Sequence, residues 1–248
     1  MSQSVHFKAS VSEVIAHSPD VHSYTLVSER SLPKFSPGQF IHLSLEMFDP
    51  SNYWPESRVF SVANTVIDNK TIKLVISKQG LYTKRIIEEL HVGSYVSCKG
   101  PYGDFIIRTD NQADKTIVMI AGGTGITPFS AFMESLMQHE VLGFSRCFLF
   151  YGTRMPALLI YKKLADACSV KFNNFKAMYF SEEDDPGKKL TSEIRTGRLN
   201  VNSVVDSVKP DNHTIFYLSG PKMMIDYFSN ELTKVYQYPA ENILIDAW

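Results

Sequence analysis

Residues 117–121 read Ile-Val-Met-Ile-Ala and run without a polar residue into Gly122-Gly123-Thr124-Gly125-Ile126-Thr127-Pro128. A strand that is apolar at every position must be covered on both faces, which is the environment of a parallel sheet flanked by helices. The rest of the chain agrees. Apolar strands expected at 117–121, 147–151, 175–180, 214–218 and 243–245 are interleaved with helical stretches at 128–139, 157–167 and 221–236. Parallel neighbours need crossover connections, and helices supply them. The expectation is a doubly wound parallel-sheet α/β domain.

The first hundred residues are patterned differently. Strands are expected at 5–17, 21–28, 39–46, 58–63, 71–77 and 94–100, with partial alternation as in Ile41-His42-Leu43-Ser44-Leu45. Turn clusters separate them: Ser18-Pro19-Asp20, Ser36-Pro37-Gly38, Asp49-Pro50-Ser51-Asn52 and Asp68-Asn69. Only 81–90 reads as a helix there. Short strands at this spacing predict a six-stranded antiparallel β-barrel. The polar stretch 108–115 marks the change of pattern, giving expected domains at 1–110 and 111–248.

Charge and composition remove several classes. With 25 basic and 26 acidic residues the net charge is −1, so the basic footprint of a nucleic-acid binder is missing. The uninterrupted apolar runs are too short to span a bilayer. The first thirty residues lack the pattern of a signal peptide. Cys98, Cys147 and Cys168 fit no ligand spacing, and the seven histidines form no ligand pair, so no metal site is expected. A cytoplasmic protein is the default expectation.

The glycine-rich turn carries chemistry. Gly123 and Gly125 remove Cβ atoms, so the backbone can turn sharply and approach a pyrophosphate, while the following helix presents its amides to the anion. Pro128 suits a first helical turn, where its missing N–H is no loss. The turn departs from the common dinucleotide fingerprint, because Pro128 stands at the third glycine. No acidic residue closes the second strand either; Tyr151-Gly152-Thr153-Arg154 does.

At this point the chain resembles the ferredoxin–NADP reductase family of two-domain flavoproteins. The family's GTGI-x-P loop is matched by Gly123, Thr124, Gly125, Ile126, Thr127 and Pro128, its YG-x-R by Tyr151 to Arg154, and its CGP-x-x-M by Ser219, Gly220, Pro221 and Met224. The flavin signature R-x-Y-S is matched by Arg58, Val59, Phe60 and Ser61, and a G-x-x-S/T helix start by Gly80, Leu81, Tyr82 and Thr83. Gly100-Pro101-Tyr102-Gly103-Asp104-Phe105 matches the family's barrel-closing turn. The resemblance implies that Arg58 and Thr83 meet FAD phosphates, Phe60 stacks on the flavin, and Ser61 bonds its N5. It also places Ile76 and Ser77 beside the FAD, Ser181 beside the nucleotide, Trp248 over the flavin face and Asp246 as a proton-relay candidate.

Two departures matter. Ser219 stands where many relatives carry cysteine, which implies altered hydride transfer. The third strand of the second domain ends in Ser181-Glu182-Glu183-Asp184-Asp185, whose carboxylates favour NADH over NADPH, although Arg154, Lys188 or Lys189 could reach a 2′-phosphate. The implied function is an FAD-dependent NAD(P)H oxidoreductase serving an external acceptor, with ferredoxin and flavodoxin as candidates. The alternatives are a reductase of free flavins and an FAD-binding electron-transfer or sensing module without NAD(P)H turnover.

Overall fold

The computed structural model describes residues 3–66, 68–108, 112–138, 143–183 and 194–246. The chain divides into two compact units, 1–106 and 107–248. Each is built on one six-stranded sheet.

The first unit contains β1 (Val5–Ser18), β2 (Val21–Ser28), β3 (Phe40–Ser44), β4 (Arg58–Ser61), β5 (Thr71–Ser77), helix α1 (Leu81–Glu89) and β6 (Tyr95–Tyr102). Every pairing is antiparallel, in the order β4-β3-β6-β1-β2-β5. Alternation sets the faces. Phe7, Ala9 and Val11 of β1 share one core with Tyr24 and Leu26 of β2, Ile41 and Leu43 of β3, and Ile72, Leu74 and Ile76 of β5. The end strands β4 and β5 are bridged just past Ser61. The Ala63 amide donates to the Lys73 carbonyl (2.8 Å), the Lys73 amide to Asn64 Oδ1 (2.7 Å), and Asn64 Nδ2 to the Thr71 carbonyl (3.0 Å). These bonds make a nearly closed barrel. They also end β4 earlier than the expected 63, because Ala63 turns towards β5. Likewise β3 stops at Ser44 rather than 46, since the Leu45 amide donates to the Tyr82 hydroxyl and the Glu46 amide to Ser44 Oγ.

The second unit contains β7 (Gln112–Gly122), α2 (Thr127–Gln138), β8 (Phe144–Thr153), α3 (Lys162–Lys171), β9 (Phe175–Ser181), β10 (Ile194–Thr196), α4 (Val201–Val208), β11 (Thr214–Ser219), α5 (Lys222–Asn230) and β12 (Ile243–Ile245). Its sheet is parallel throughout, ordered β10-β9-β8-β7-β11-β12. The winding reverses between β7 and β11, so the carboxyl ends of these two strands flank a topological switch point. Val118 and Ile120 of β7 pack with Phe150, Phe216, Val204 and Phe228 under α4 and α5. Ile117 and Met119 alternate to the opposite face and are equally buried. That double burial is why 117–121 carries no polar residue.

Several elements differ from expectation. The stretch 157–167 is a short 3-10 turn, Pro156–Leu158, followed by α3 from Lys162. Five consecutive apolar residues from Ala157 to Tyr161 cannot share one helix face, and the chain turns instead. The stretch 221–236 is α5 to Asn230 and then a π turn, Glu231–Val235. Strand β7 starts at Gln112, inside the polar stretch. Strand β10 and helix α4 were not expected. In α4 the Asn200 side chain accepts from the Ser203 amide (3.0 Å), and Val201, Val204 and Val208 form the buried stripe. Residue 139 lies outside the described residues.

Phe216 is fully buried between β11's neighbours and the Tyr238 ring, 5.4 Å away between centroids. Phe216→Ala is expected to cost about 3–5 kcal/mol. Urea unfolding followed by far-UV circular dichroism reads this as an earlier transition of the second unit; an unchanged midpoint would contradict the packing described.

Candidate functional site

In the first unit, β4 pairs with β3 so that Arg58 faces Leu43, Val59 faces His42, Phe60 faces Ile41 and Ser61 faces Phe40. Phe60 packs partly against the barrel core. The Arg58 side chain is half exposed, donates to the Ser57 carbonyl (2.8 Å) and to Glu56 Oε1 (2.9 Å), and lies 4.7 Å over the Tyr82 ring. Tyr82 itself is buried, and its hydroxyl accepts from the Leu45 amide (3.0 Å) while donating to the Glu56 carbonyl (2.9 Å). Burial raises its phenol pKa, so it stays a neutral donor. Tyr82 therefore serves as the platform for Arg58. Ile76 is wholly inside the barrel core, and the partly buried Ser77 ends β5.

Helix α1 starts at Gly80, which has extended backbone and no side chain with which to cap the helix. Thr83 Oγ1 accepts from the amides of Gln79 (2.8 Å) and Gly80 (3.0 Å), fixing the shape of the entry turn. The first turn holds no acidic residue, and Leu81 is 86% exposed. An uncapped, acid-free helix start is a place where orphan amides meet an anion.

In the second unit the turn after β7 and the turn after β11 interlock. A Cβ on Gly125 would run into the Ser219 carbonyl and lie 2.5 Å from the Gly220 nitrogen. A Cβ on Gly122 would lie 2.6 Å from Met224 Sδ and 2.8 Å from Pro221 Cδ. Gly123 has φ +53°, and a Cβ there would meet nothing within 4 Å. Gly123, Thr124 and Gly125 are thus the partly exposed lip, whereas Ile126, Thr127 and Pro128 are buried. Thr127 Oγ1 donates to the Thr124 carbonyl (3.0 Å), tying lip to helix. No side chain among the described residues caps the 3-10 turn Gly123–Ile126, and its first turn lacks acids.

The flanks of this lip are polar. Ser219 and Asp246, both buried, end β11 and follow β12; Ser219 Oγ donates to Asp246 Oδ2 at 2.8 Å. The Asp246 amide donates to the Leu218 carbonyl (2.9 Å), which fixes the carboxylate in place. At the ends of β8 and β9, Arg154 Nε donates to Glu183 Oε1 (2.6 Å), and Arg198 forks onto both oxygens of Glu182 (3.1 and 3.0 Å). The Glu183 hydrogen bond raises the Arg154 pKa further. Buried Ser181 donates to the Glu183 carbonyl (2.7 Å). Tyr151 is fully buried, and its hydroxyl donates to the Leu158 carbonyl (2.9 Å), so it supports the strand from within. Arg198 was missed from sequence; the signal was an arginine two residues before the helix-capping Asn200. Trp248, Asp184, Asp185, Lys188 and Lys189 lie outside the described residues. Among the described residues there is no cluster of three or more metal-ligating side chains. No described helix is long and apolar enough to cross a membrane.

The family model for oxidoreductase FAD-binding domains matches residues 7–107, and that for oxidoreductase NAD-binding domains matches 119–230. The chain belongs to the ferredoxin–NADP reductase family of two-domain flavoprotein reductases. Among its relatives, the reductase component of phenol 2-monooxygenase from a Pseudomonas species is 30% identical over 68% of this chain and 45% of its own. The phenol hydroxylase P5 protein of Acinetobacter pittii is 28% identical over 89% of this chain and 59% of its own. The chain thus spans about half the length of these relatives. Among solved structures, the Amycolatopsis cytochrome P450 reductase GcoB superposes with a TM-score of 0.81 at 22% identity, over 99% of this chain and 70% of that one. A ferredoxin NADP+ reductase from Neisseria gonorrhoeae gives 0.75 at 17% identity, covering 97% and 98%.

The residues present fit the two dinucleotides these domains imply. Each pyrophosphate needs an uncapped helix start without carboxylates, and α1 and the 3-10 turn into α2 both provide one. The left-handed Gly123 adds open space where a side chain would otherwise stand.

Proposed function

We propose that this chain accepts reducing equivalents from NADH, holds them on FAD, and passes them to an external electron acceptor. One observation carries the reading: the backbone interlock of Gly122–Gly125 with Ser219–Pro221 at the switch point of a parallel sheet, with the Gly123 side open. Bound flavin supplies the exchange between a two-electron hydride and electrons that leave singly or in pairs. The chain's own residues bind and orient. Arg58, braced on Tyr82, and the amides at the start of α1 hold the FAD pyrophosphate; Ser61 offers the hydroxyl for the flavin edge. Gly123, Thr124 and Gly125 receive the nicotinamide dinucleotide's pyrophosphate. With its O–H directed in a hydrogen bond to Asp246, Ser219 leaves acceptor lone pairs at the switch point, which suits the N–H donors of a nicotinamide carboxamide. The acceptor we propose is an oxygenase component or a small carrier of the ferredoxin or flavodoxin kind, in keeping with relatives named as reductase components.

Anaerobic NADH should bleach the flavin bands of the FAD-loaded protein, and ferricyanide should restore them. A protein that loses FAD on desalting yet reduces added flavin would instead be a free-flavin reductase. One that keeps FAD but ignores NADH would be a sensing module.

Two ion pairs support the proposed preference for NADH. A 2′-phosphate would face Glu182 and Glu183 and would have to take Arg154 or Arg198 from them, whereas the ribose hydroxyls of NADH displace nothing. The double change Glu182→Gln with Glu183→Gln is expected to raise the NADPH-to-NADH ratio of kcat/KM by about tenfold, the equivalent of ~1.4 kcal/mol. Steady-state ferricyanide reduction with each coenzyme measures it. A ratio that stays put removes these carboxylates from coenzyme choice.

A further inference from the structure

The outer face of the barrel carries a feature that neither dinucleotide site uses. A groove of about 650 Å³ lies between the start of β1, the adjoining part of β6 and the loop that follows β3. That volume is within the range of small-molecule sites. Strands β6 and β3 separate β1 from β4, and no residue of the Arg58–Ser61 or Gly80–Thr83 segments lines the groove.

One wall is aromatic. Trp54 stacks on His6 (5.2 Å between centroids, 24° between planes), Phe48 meets His6 edge-on at 4.7 Å, and Lys99 Nζ lies 4.8 Å from the Trp54 ring. The indole N–H and one backbone amide of this wall are already engaged within the protein. Trp54 Nε1 donates to Ser57 Oγ (2.9 Å), and the Phe48 amide donates to Ser97 Oγ (2.7 Å). Trp54 and Phe48 therefore offer ring surface rather than hydrogen bonds, beside the His6 imidazole and the Lys99 ammonium.

The other end is cationic. Lys8 and Arg30 line it, and no lining residue is acidic. Lys8 is shared with Glu29 (3.0 Å), whereas the Arg30 guanidinium makes no ion pair among the described residues. His6 and Lys8 are two positions apart on one face of β1, a rise of about 6.8 Å along the strand, with His6 beside the rings and Lys8 beside the cationic end. A bicyclic aryl ring with its carboxylate spans that distance.

We propose that this groove is a second binding site, specific for an aromatic carboxylate whose ring lies against Trp54 and Phe48 and whose anion pairs with Arg30. An arginine fork matches a carboxylate and nothing neutral, so charge as well as shape decides occupancy. The proposal does not depend on the redox reading above.

The test is isothermal titration of the FAD-saturated full chain with 2-naphthoate, and with neutral 2-naphthamide as the comparison. Naphthoate is expected to bind at one site in the micromolar to low millimolar range, and the amide at least about tenfold more weakly. Arg30→Gln should weaken naphthoate about tenfold without changing the amide, and Trp54→Ala should weaken both. Trp54→Phe, which keeps a ring, guards against a loop that simply collapses and should retain most of the binding. NADH-dependent ferricyanide reduction by Arg30→Gln should equal that of the parent. No heat with naphthoate up to 10 mM, equal binding of acid and amide, or naphthoate binding indifferent to both Arg30 and Trp54 each overturns the site. So does light scattering that shows this face closed by a second copy of the chain.

Discussion

Gly125→Ala is expected to abolish most NADH-dependent reduction while leaving the FAD content of the protein unchanged. The reason is local and steric. A single methyl group at residue 125 would be driven into the Ser219 carbonyl and the Ser219–Gly220 peptide, which is backbone and cannot rotate away. Overpacking of this kind costs typically about 1–3 kcal/mol, so the second unit should still fold. Function should suffer more than folding, because the displaced peptide carries Ser219 and the displaced loop is the lip proposed to receive the nucleotide. A shift on the order of 1 Å in a positioned group is worth about 100-fold in rate, and that is the loss expected in kcat/KM for NADH. Two other glycines calibrate the result. Gly123→Ala meets open space but a left-handed backbone, which costs about 1–2 kcal/mol, so its defect should be smaller. Gly80→Ala meets neither obstacle, with extended backbone and nothing within 4 Å. Stopped-flow reduction of the three variants, with flavin absorbance measured alongside, ranks them. If Gly125→Ala reduced as fast as Gly80→Ala, the interlock of the two turns would have no part in nucleotide binding.

The sequence made some of this site readable and hid the rest for definite reasons. The lip at Gly123–Gly125 is local: its neighbours in space, β7 and α2, are also its neighbours in the chain, so the residue pattern carries the geometry. Strand edges were less readable where a distant side chain decides them. The expected β3 runs to 46, but the Tyr82 hydroxyl takes the Leu45 amide from 37 residues away. Helix α4 was hidden by composition, since Val201, Val204, Val205 and Val208 are β-branched and disfavour helix in isolation. Its stripe at i, i+3 and i+7 becomes meaningful only once a sheet stands beside it. Ser219 and Asp246 were each singled out, yet their hydrogen bond follows from the pairing of β11 with β12, which no local pattern states. The acidic run after β9 read as a repulsive patch. Its arginine partners come from the ends of β8 and β10, so two of its charges are neutralised by residues 29 and 16 positions away. Tyr82 read as part of a ligand motif, and the fold uses it as the floor beneath Arg58.

That relation between Tyr82 and Arg58 leads to the second large effect. Arg58→Leu is expected to raise the dissociation constant for FAD about 100-fold, or ~2.7 kcal/mol. A guanidinium that forks onto a pyrophosphate makes two charge-assisted hydrogen bonds, and leucine keeps an apolar stem while removing both, together with the guanidinium contact on Tyr82. Arg58→Lys should recover only part of the loss, because a point charge cannot reproduce the fork. A rival explanation is that Arg58 merely braces the loop by holding Glu56 and the Ser57 carbonyl. The two explanations differ in sign at Glu56. If Arg58 is a phosphate ligand, Glu56 competes with the phosphate for the guanidinium, and Glu56→Gln should leave FAD affinity unchanged or tighten it a few-fold. If Arg58 is a brace, Glu56→Gln breaks the same contact from the other side and should weaken FAD as Arg58→Leu does. Titration of the flavin-stripped protein with FAD, followed by quenching of flavin fluorescence, measures all three variants. Parallel losses in Arg58→Leu and Glu56→Gln would move the pyrophosphate anchor away from Arg58, leaving the uncapped start of α1 to hold the phosphates alone.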